Sequence, residues 1–118
     1  MRAKDALGRF GEQLAAHHLG DIGMEVLDTN WRCDLGELDI VAVEGTSLVF
    51  CEVKTRSSTA YGTPAEAVTP SKAARIHRLA FRWMADHHAS APVVRFDLVS
   101  ILARRGVPPV LEHVRAAF

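Results

Sequence analysis

The chain has 118 residues, 48% hydrophobic and 24% charged, enough for one hydrophobic core without disulfides or a structural metal. Its 14 Lys and Arg balance 14 Asp and Glu, for a formal net charge of +0. That balance excludes a general polyanion-coating protein but leaves room for a local basic face. Two cysteines, Cys33 and Cys51, make no disulfide framework, and no apolar run approaches membrane-spanning length.

The opening MRAKDALGRFGEQLAAHH is amphipathic and lacks an apolar signal-type core, so a soluble, cytoplasmic protein with no membrane partner is expected. Residues 4–19 read as a helix, with Leu7, Phe10 and Leu14 at helical spacing and Gly20 ending the run. Gly8, Glu12, Ala15, Ala16 and Leu19 occupy a different side, where small residues let another element come close. Met24–Asp28 is a short strand candidate, followed by an irregular polar stretch around Asn30–Asp34. Two β-rich runs, Glu37–Val43 and Leu48–Lys54, then flank Glu44-Gly45-Thr46-Ser47, which suits a two-residue II′ hairpin. Ile40, Ala42, Val49 and Cys51 make one apolar face of this hairpin, and Val41, Val43, Leu48 and Phe50 the other. A hairpin apolar on both faces belongs inside a sheet covered by helices.

Residues 56–69 form a long connection of the kind that carries binding segments. Thr69-Pro70 opens the next helix as N-cap and first helical residue. That helix runs to about His88, burying Ala73, Ile76, Ala80, Trp83, Met84 and His87 and presenting Arg75, Arg78 and Arg82 as a basic stripe. Val93–Leu102 is a strand, and Val110–Val114 a shorter one after Pro108-Pro109. The order α-β-β-β-α-β-(β) predicts a single α/β domain over residues 1–118, a mixed central β-sheet flanked by helices.

With Gly45 and Thr46 as the turn, opposed residues sum to 91. Asp39 then faces Glu52, Glu37 faces Lys54, and all four project from one face at the open end of the hairpin. Opposed carboxylates at roughly 5 Å and an effective dielectric of about 20 repel by ~3 kcal/mol. Protonation, the ammonium of Lys54, or a divalent cation would offset this. Two carboxylates converging on a rigid hairpin suit a hard, oxygen-seeking ion, Mg²⁺ or Mn²⁺. An adjacent lysine can position a water whose pKa the ion lowers, which is the chemistry of phosphodiester hydrolysis.

Asp39, a 12-residue gap and Glu52-Val53-Lys54 resemble the D…(D/E)xK signature of the restriction-endonuclease-like nuclease superfamily. More closely, GELDIVAVEGTSLVFCEVKTR with Gly11-Glu12, Tyr61-Gly62-Thr63-Pro64 and Lys72 resembles the YraN family of small bacterial proteins. Leu38 stands where the superfamily motif has its proline. The resemblance implies a restriction-endonuclease-like fold and a metal site of Asp39 and Glu52, with Glu12 as a further ligand and Lys54 completing the catalytic set. The bland reading of these residues is a solvated sheet end that Lys54 neutralises, and Glu12 is then an ordinary surface acid. The metal site is favoured; Glu37 is either a further ligand or the cross-strand partner of Lys54, with the partner preferred.

The implied partner is nucleic acid, with DNA favoured over RNA, and branched or structured DNA suits a small neutral domain. Junction resolvases of the same superfamily suggest a homodimer. Lys72, at a helix start, and Arg56, on the strand parity of Lys54, are candidate phosphate contacts. Arg75 is a candidate too, although a solvated face is the commoner explanation of its stripe. Tyr61 is the one aromatic considered for base stacking. Adjacent pairs such as His17-His18 and His87-His88 do not converge on one ion, and no Cys/His spacing fits zinc. The functional expectation is a metal-dependent nuclease. Its rivals are a non-cutting nucleic-acid-binding module on the same scaffold and a protein-interaction domain.

Overall fold

The computed structural model describes residues 3–58 and 68–118. Gly45 takes φ 59 while Thr46 has no positive φ, the pattern of a II′ turn. It joins β2 (Gly36–Glu44) to β3 (Ser47–Arg56). Pairing runs from Glu44↔Ser47 to Ile40↔Cys51, so the register expected from the turn holds for the apolar part of the hairpin. The two faces also separate as the alternation requires. Ile40, Ala42, Val49 and Cys51 share a core with Ala15 and Leu19 of α1 (Ala3–Asp21). Val41, Leu48 and Phe50 share another with Ile76, Leu79, Ala80 and Trp83 of α2 (Pro70–Asp86).

With β1 (Glu25–Cys33), β4 (Val93–Leu102) and β5 (Val110–Val114), the strands form one sheet in the order β1-β2-β3-β4-β5. Only β3 and β4 are parallel, and α2 lies in the crossover between them. The mixed sheet flanked by two helices is thus the expected α/β architecture. No described helix is long and apolar enough to cross a membrane.

Two local expectations change and one holds. β1 continues through Cys33, where an irregular stretch was expected, because Trp31, Arg32 and Cys33 pair with Leu38, Glu37 and Gly36 in a second hairpin. On α1, as expected, another element comes close on the small-residue side. Phe10 is 43% exposed, while Ala15 and Leu19 on the small-residue side are fully buried. On α2, Leu79 is buried, and His87, expected inside, is exposed at the C-cap with its ring stacked on Trp83 at 4.1 Å. The start of α2 is as expected: Thr69 caps through its side chain to Lys72 N, and Pro70 opens the first turn.

Two features place the site. The first is the crossing of α1 over β3 at Gly11, which is buried. A Cβ there would overlap Thr55 Oγ1 and lie 2.8 Å from Thr55 Cβ. This close approach carries Glu12, the next residue, over the end of β3. The second is a slip in β2. Ile40 packs toward α1, yet Leu38, two residues earlier, packs toward α2. Alternation would put both on one face, so it breaks beside Asp39. The neighbouring strand breaks there too, since Asn30 has φ 52.

A buried ionic network secures the β4–β5 edge of the sheet. Asp97, 0% exposed, receives Arg95 Nε and Nη2 at 2.8 and 2.9 Å, His113 Nε2 at 2.8 Å and the Ala116 amide at 3.1 Å. Arg95 and Arg115 both reach Glu44, and His113 Nδ1 meets His18 of α1 at 3.1 Å. Burial alone would raise the Asp97 pKa, but these donors outweigh it and hold the carboxyl below its ordinary value. Cys51 is an ordinary core thiol, pushed up by burial.

Substituting Gly11→Ala should lower stability by about 1–3 kcal/mol, the usual cost of overpacking. Thr55→Ala in the same chain should recover part of the loss. Urea midpoints of the single and double variants test this, and an unaffected Gly11→Ala midpoint would refute the close crossing.

Candidate metal and phosphate site

At the open end of the β2–β3 hairpin the ladder stops at Ile40↔Cys51. Continued pairing would send the Val53 N–H to the Leu38 carbonyl. Instead it donates to Asp39 Oδ2 at 2.8 Å. The carboxylate replaces the missing rung, and the two strands part. β2 stays with β1, β3 stays with β4, and a cleft of about 980 Å³ opens beside them under α1.

Among the described residues its walls carry four acids: Glu12 from α1, Glu37 and Asp39 from β2, and Glu52 from β3. Arg9, Arg32, Lys54 and Lys72 line it as well. Glu12, Glu37 and Asp39 each offer a carboxylate oxygen such that all three oxygens lie within 4.8 Å of one another. Asn30 Nδ2 donates to Glu12 Oε2 at 3.1 Å, Arg32 Nε lies 3.3 Å from Glu37 Oε2, and Lys72 Nζ lies 3.1 Å from Glu52 Oε1.

The electrostatics are unfavourable for charge. Burial is the main force raising the Asp39 pKa, from the ordinary 3.8 to about 8, and the Glu52 carboxylate adds to it. The Val53 amide opposes the shift without cancelling it, and Asp39 in its acid form hydrogen-bonds toward Glu52. Glu12 is also raised, chiefly by burial, with Glu37 and Glu52 adding and the Asn30 amide opposing. Carboxyls forced together in a partly desolvated cleft, with raised proton affinity, mark a candidate functional site.

The structure therefore brings Glu12, Asp39, Glu52, Lys54 and Lys72 to one cleft. Two expectations fail in detail. Glu37 pairs with Arg32 across β1, not with Lys54, because the hairpin opens before reaching them. Lys54 is exposed at the cleft edge and has no ion pair among the described residues. Arg56, half-buried, and Arg75, exposed one turn beyond Lys72, do not line the cleft. Arg82 is tied to Asp34 and Asp86, so that end of the basic stripe is a solvated ion-pair face. Tyr61 lies outside the described residues. Sequence reasoning preferred Glu37 as the partner of Lys54 over its alternative as a further ligand, and missed Asn30 and Arg32 beside the site, because the second hairpin was not seen. Gly36, with φ 138 just after the Asp34-Leu35 turn, was the available signal.

Residues 11–101, from the α1 crossing to the end of β4, match the family model described as "Uncharacterised protein family UPF0102". The chain belongs to the UPF0102 family. It is 60% identical over 119 residues to a UPF0102 protein of Frankia casuarinae, with 100% of both chains covered. It is 59% identical to one of Frankia alni, covering 100% of this chain and 98% of the relative. A UPF0102 protein of Acidothermus cellulolyticus is 52% identical, covering 98% and 96%. The YraN-like resemblance read from the motifs is thus a UPF0102 membership.

Because folded Asp39 binds its proton more tightly than the unfolded chain does, the folded state carries more protons between about pH 4 and pH 8. Stability should therefore fall as pH rises through that window. Asp39→Asn, which keeps an acceptor for Val53, should flatten the slope and raise the melting temperature at pH 8 by about 5 °C. Parallel slopes for variant and wild type would contradict the raised proton affinity.

Proposed function

We propose that this chain is a divalent-metal-dependent nuclease that hydrolyses phosphodiester bonds of nucleic acid, DNA in preference to RNA. The observation that carries the reading is the convergence of Glu12, Glu37 and Asp39 beside Glu52 in a cleft that Lys54 and Lys72 also line. The donor set fits a hard cation. It is all oxygen, it comes from two strands and a helix, and its acids are partly withheld from water. The D…ExK resemblance points the same way and is the basis for assigning the restriction-endonuclease-like fold.

Glu12, Glu37 and Asp39 would hold Mg²⁺ or Mn²⁺, with Glu52 as a further oxygen. When bound, the ion supplies Lewis acidity toward a phosphoryl oxygen and lowers the pKa of a water. Lys54, exposed and without a carboxylate partner among the described residues, orients the attacking water at the cleft edge. Lys72 stands in the first turn of α2, where the helix end adds its own attraction for a phosphate. Asp39 must release its proton for the ion to bind, so metal affinity rises with pH up to about 8.

A non-cutting nucleic-acid-binding module is the second reading. One observation favours it: Glu52 already has a counter-ion in Lys72. The deciding experiment is cleavage of labelled duplex, single-stranded and branched DNA, and of RNA, in Mg²⁺ or Mn²⁺. Wild type is expected to cut, and Glu52→Ala, purified in parallel, to lose at least about 100-fold while melting normally. Salt-sensitive binding without turnover would transfer the assignment to the second reading.

A further inference from the structure

Of the four acids that line the cleft among the described residues, the one outside the close group of oxygens is Glu52. Glu52 is also the acid held by a lysine. Its carboxylate lies 3.1 Å from Lys72 Nζ, with the two side chains only 13% and 27% exposed. This is a sheltered pair, less screened than an ordinary surface contact. Glu12 is bound by a neutral amide, and Glu37 by an arginine that is 77% exposed.

We infer that Lys72 is a built-in counter-ion that withholds Glu52 from the metal ligands until a phosphate draws the lysine away. This rests on the metal-dependent reading above. An ammonium and a divalent cation compete for the same carboxylate oxygens, and they repel each other at such range. Lys72 is anchored by the Thr69 cap at the start of α2, so its backbone stays while its flexible four-carbon stem swings. A phosphodiester reaching the cleft meets the ammonium and the helix end together. It takes Lys72, and Glu52 turns to the ion as a fourth donor. Metal and nucleic acid then strengthen each other's binding by the same factor, whichever arrives first.

Mn²⁺ binding, read from the electron paramagnetic resonance of the free ion, separates the possibilities. The proteins are wild type, Lys72→Met, Glu52→Gln and the double variant. Without nucleic acid, Lys72→Met should bind Mn²⁺ about tenfold tighter than wild type, an ordinary size for coupled sites. The double variant should bind no tighter than Glu52→Gln alone. In a second arm, a fluorescein-labelled DNA duplex is followed by anisotropy in EDTA and in Ca²⁺. Ca²⁺ should strengthen wild-type binding by about tenfold and leave Lys72→Met nearly unchanged. The inference is overturned by equal Mn²⁺ affinities for wild type and Lys72→Met, or by a gain that survives Glu52→Gln. Equal Ca²⁺ effects on DNA binding, or no DNA binding by wild type, overturn the release step. In each of these cases Mn²⁺ binding by wild type leaves the metal site standing. Absence of Mn²⁺ binding from all four proteins removes both.

Discussion

A single hydrogen bond, from the Val53 amide to the Asp39 carboxylate, decides what the end of the hairpin becomes. A backbone donor that loses its rung must find another acceptor or suffer an unsatisfied polar group. By supplying that acceptor from a side chain, Asp39 lets β2 and β3 separate without such a loss. The opening admits α1 to the sheet end, and Gly11 makes the approach close enough for Glu12 to join the acids of the strands. Hairpin, slip and helix crossing thus converge on one place.

Asp39 and Asp97 show how one side chain can serve opposite ends. Asp97 is wholly buried, yet it is met by a bidentate guanidinium, an imidazole and an amide, and its proton affinity falls. Such a group fixes β4, β5 and the residues after them in one arrangement. Asp39 is met by one amide and crowded by another acid, and its proton affinity rises. Charge there is destabilised until something cationic arrives. The protein places its satisfied acid in the structural half of the sheet and its frustrated acids in the cleft.

The elements were legible where local chemistry was unambiguous. Gly45 set the II′ turn, Thr69-Pro70 set the start of α2, and the paired apolar runs of β2 and β3 set the two cores. What sequence could not show was the change at residue 39. Period-two reasoning carries a register forward until something interrupts it, and a side-chain acceptor leaves no mark in the apolar pattern. Hence Glu37 was assigned to Lys54, whereas β1 supplies Arg32 as its partner. The close side of α1 was legible from its small residues: the helix docks through Gly11, Ala15 and Leu19, while Phe10 of the apolar run stays exposed. Lys72 was placed near the site by its helix-start position, while its contact with Glu52 needed the third dimension.

The arrangement of the indoles carries an optical consequence. Both tryptophans of the chain, Trp31 and Trp83, belong to the core beneath α2, where they flank the His87 ring at 6.3 and 4.1 Å. Trp83 also donates its ring N–H to Asp28 at 3.0 Å. Neither indole lines the cleft under α1. Intrinsic fluorescence therefore views the molecule from its structural side: its emission reports the packing of α2 on the sheet and stays largely blind to what enters the acidic cleft on the other face.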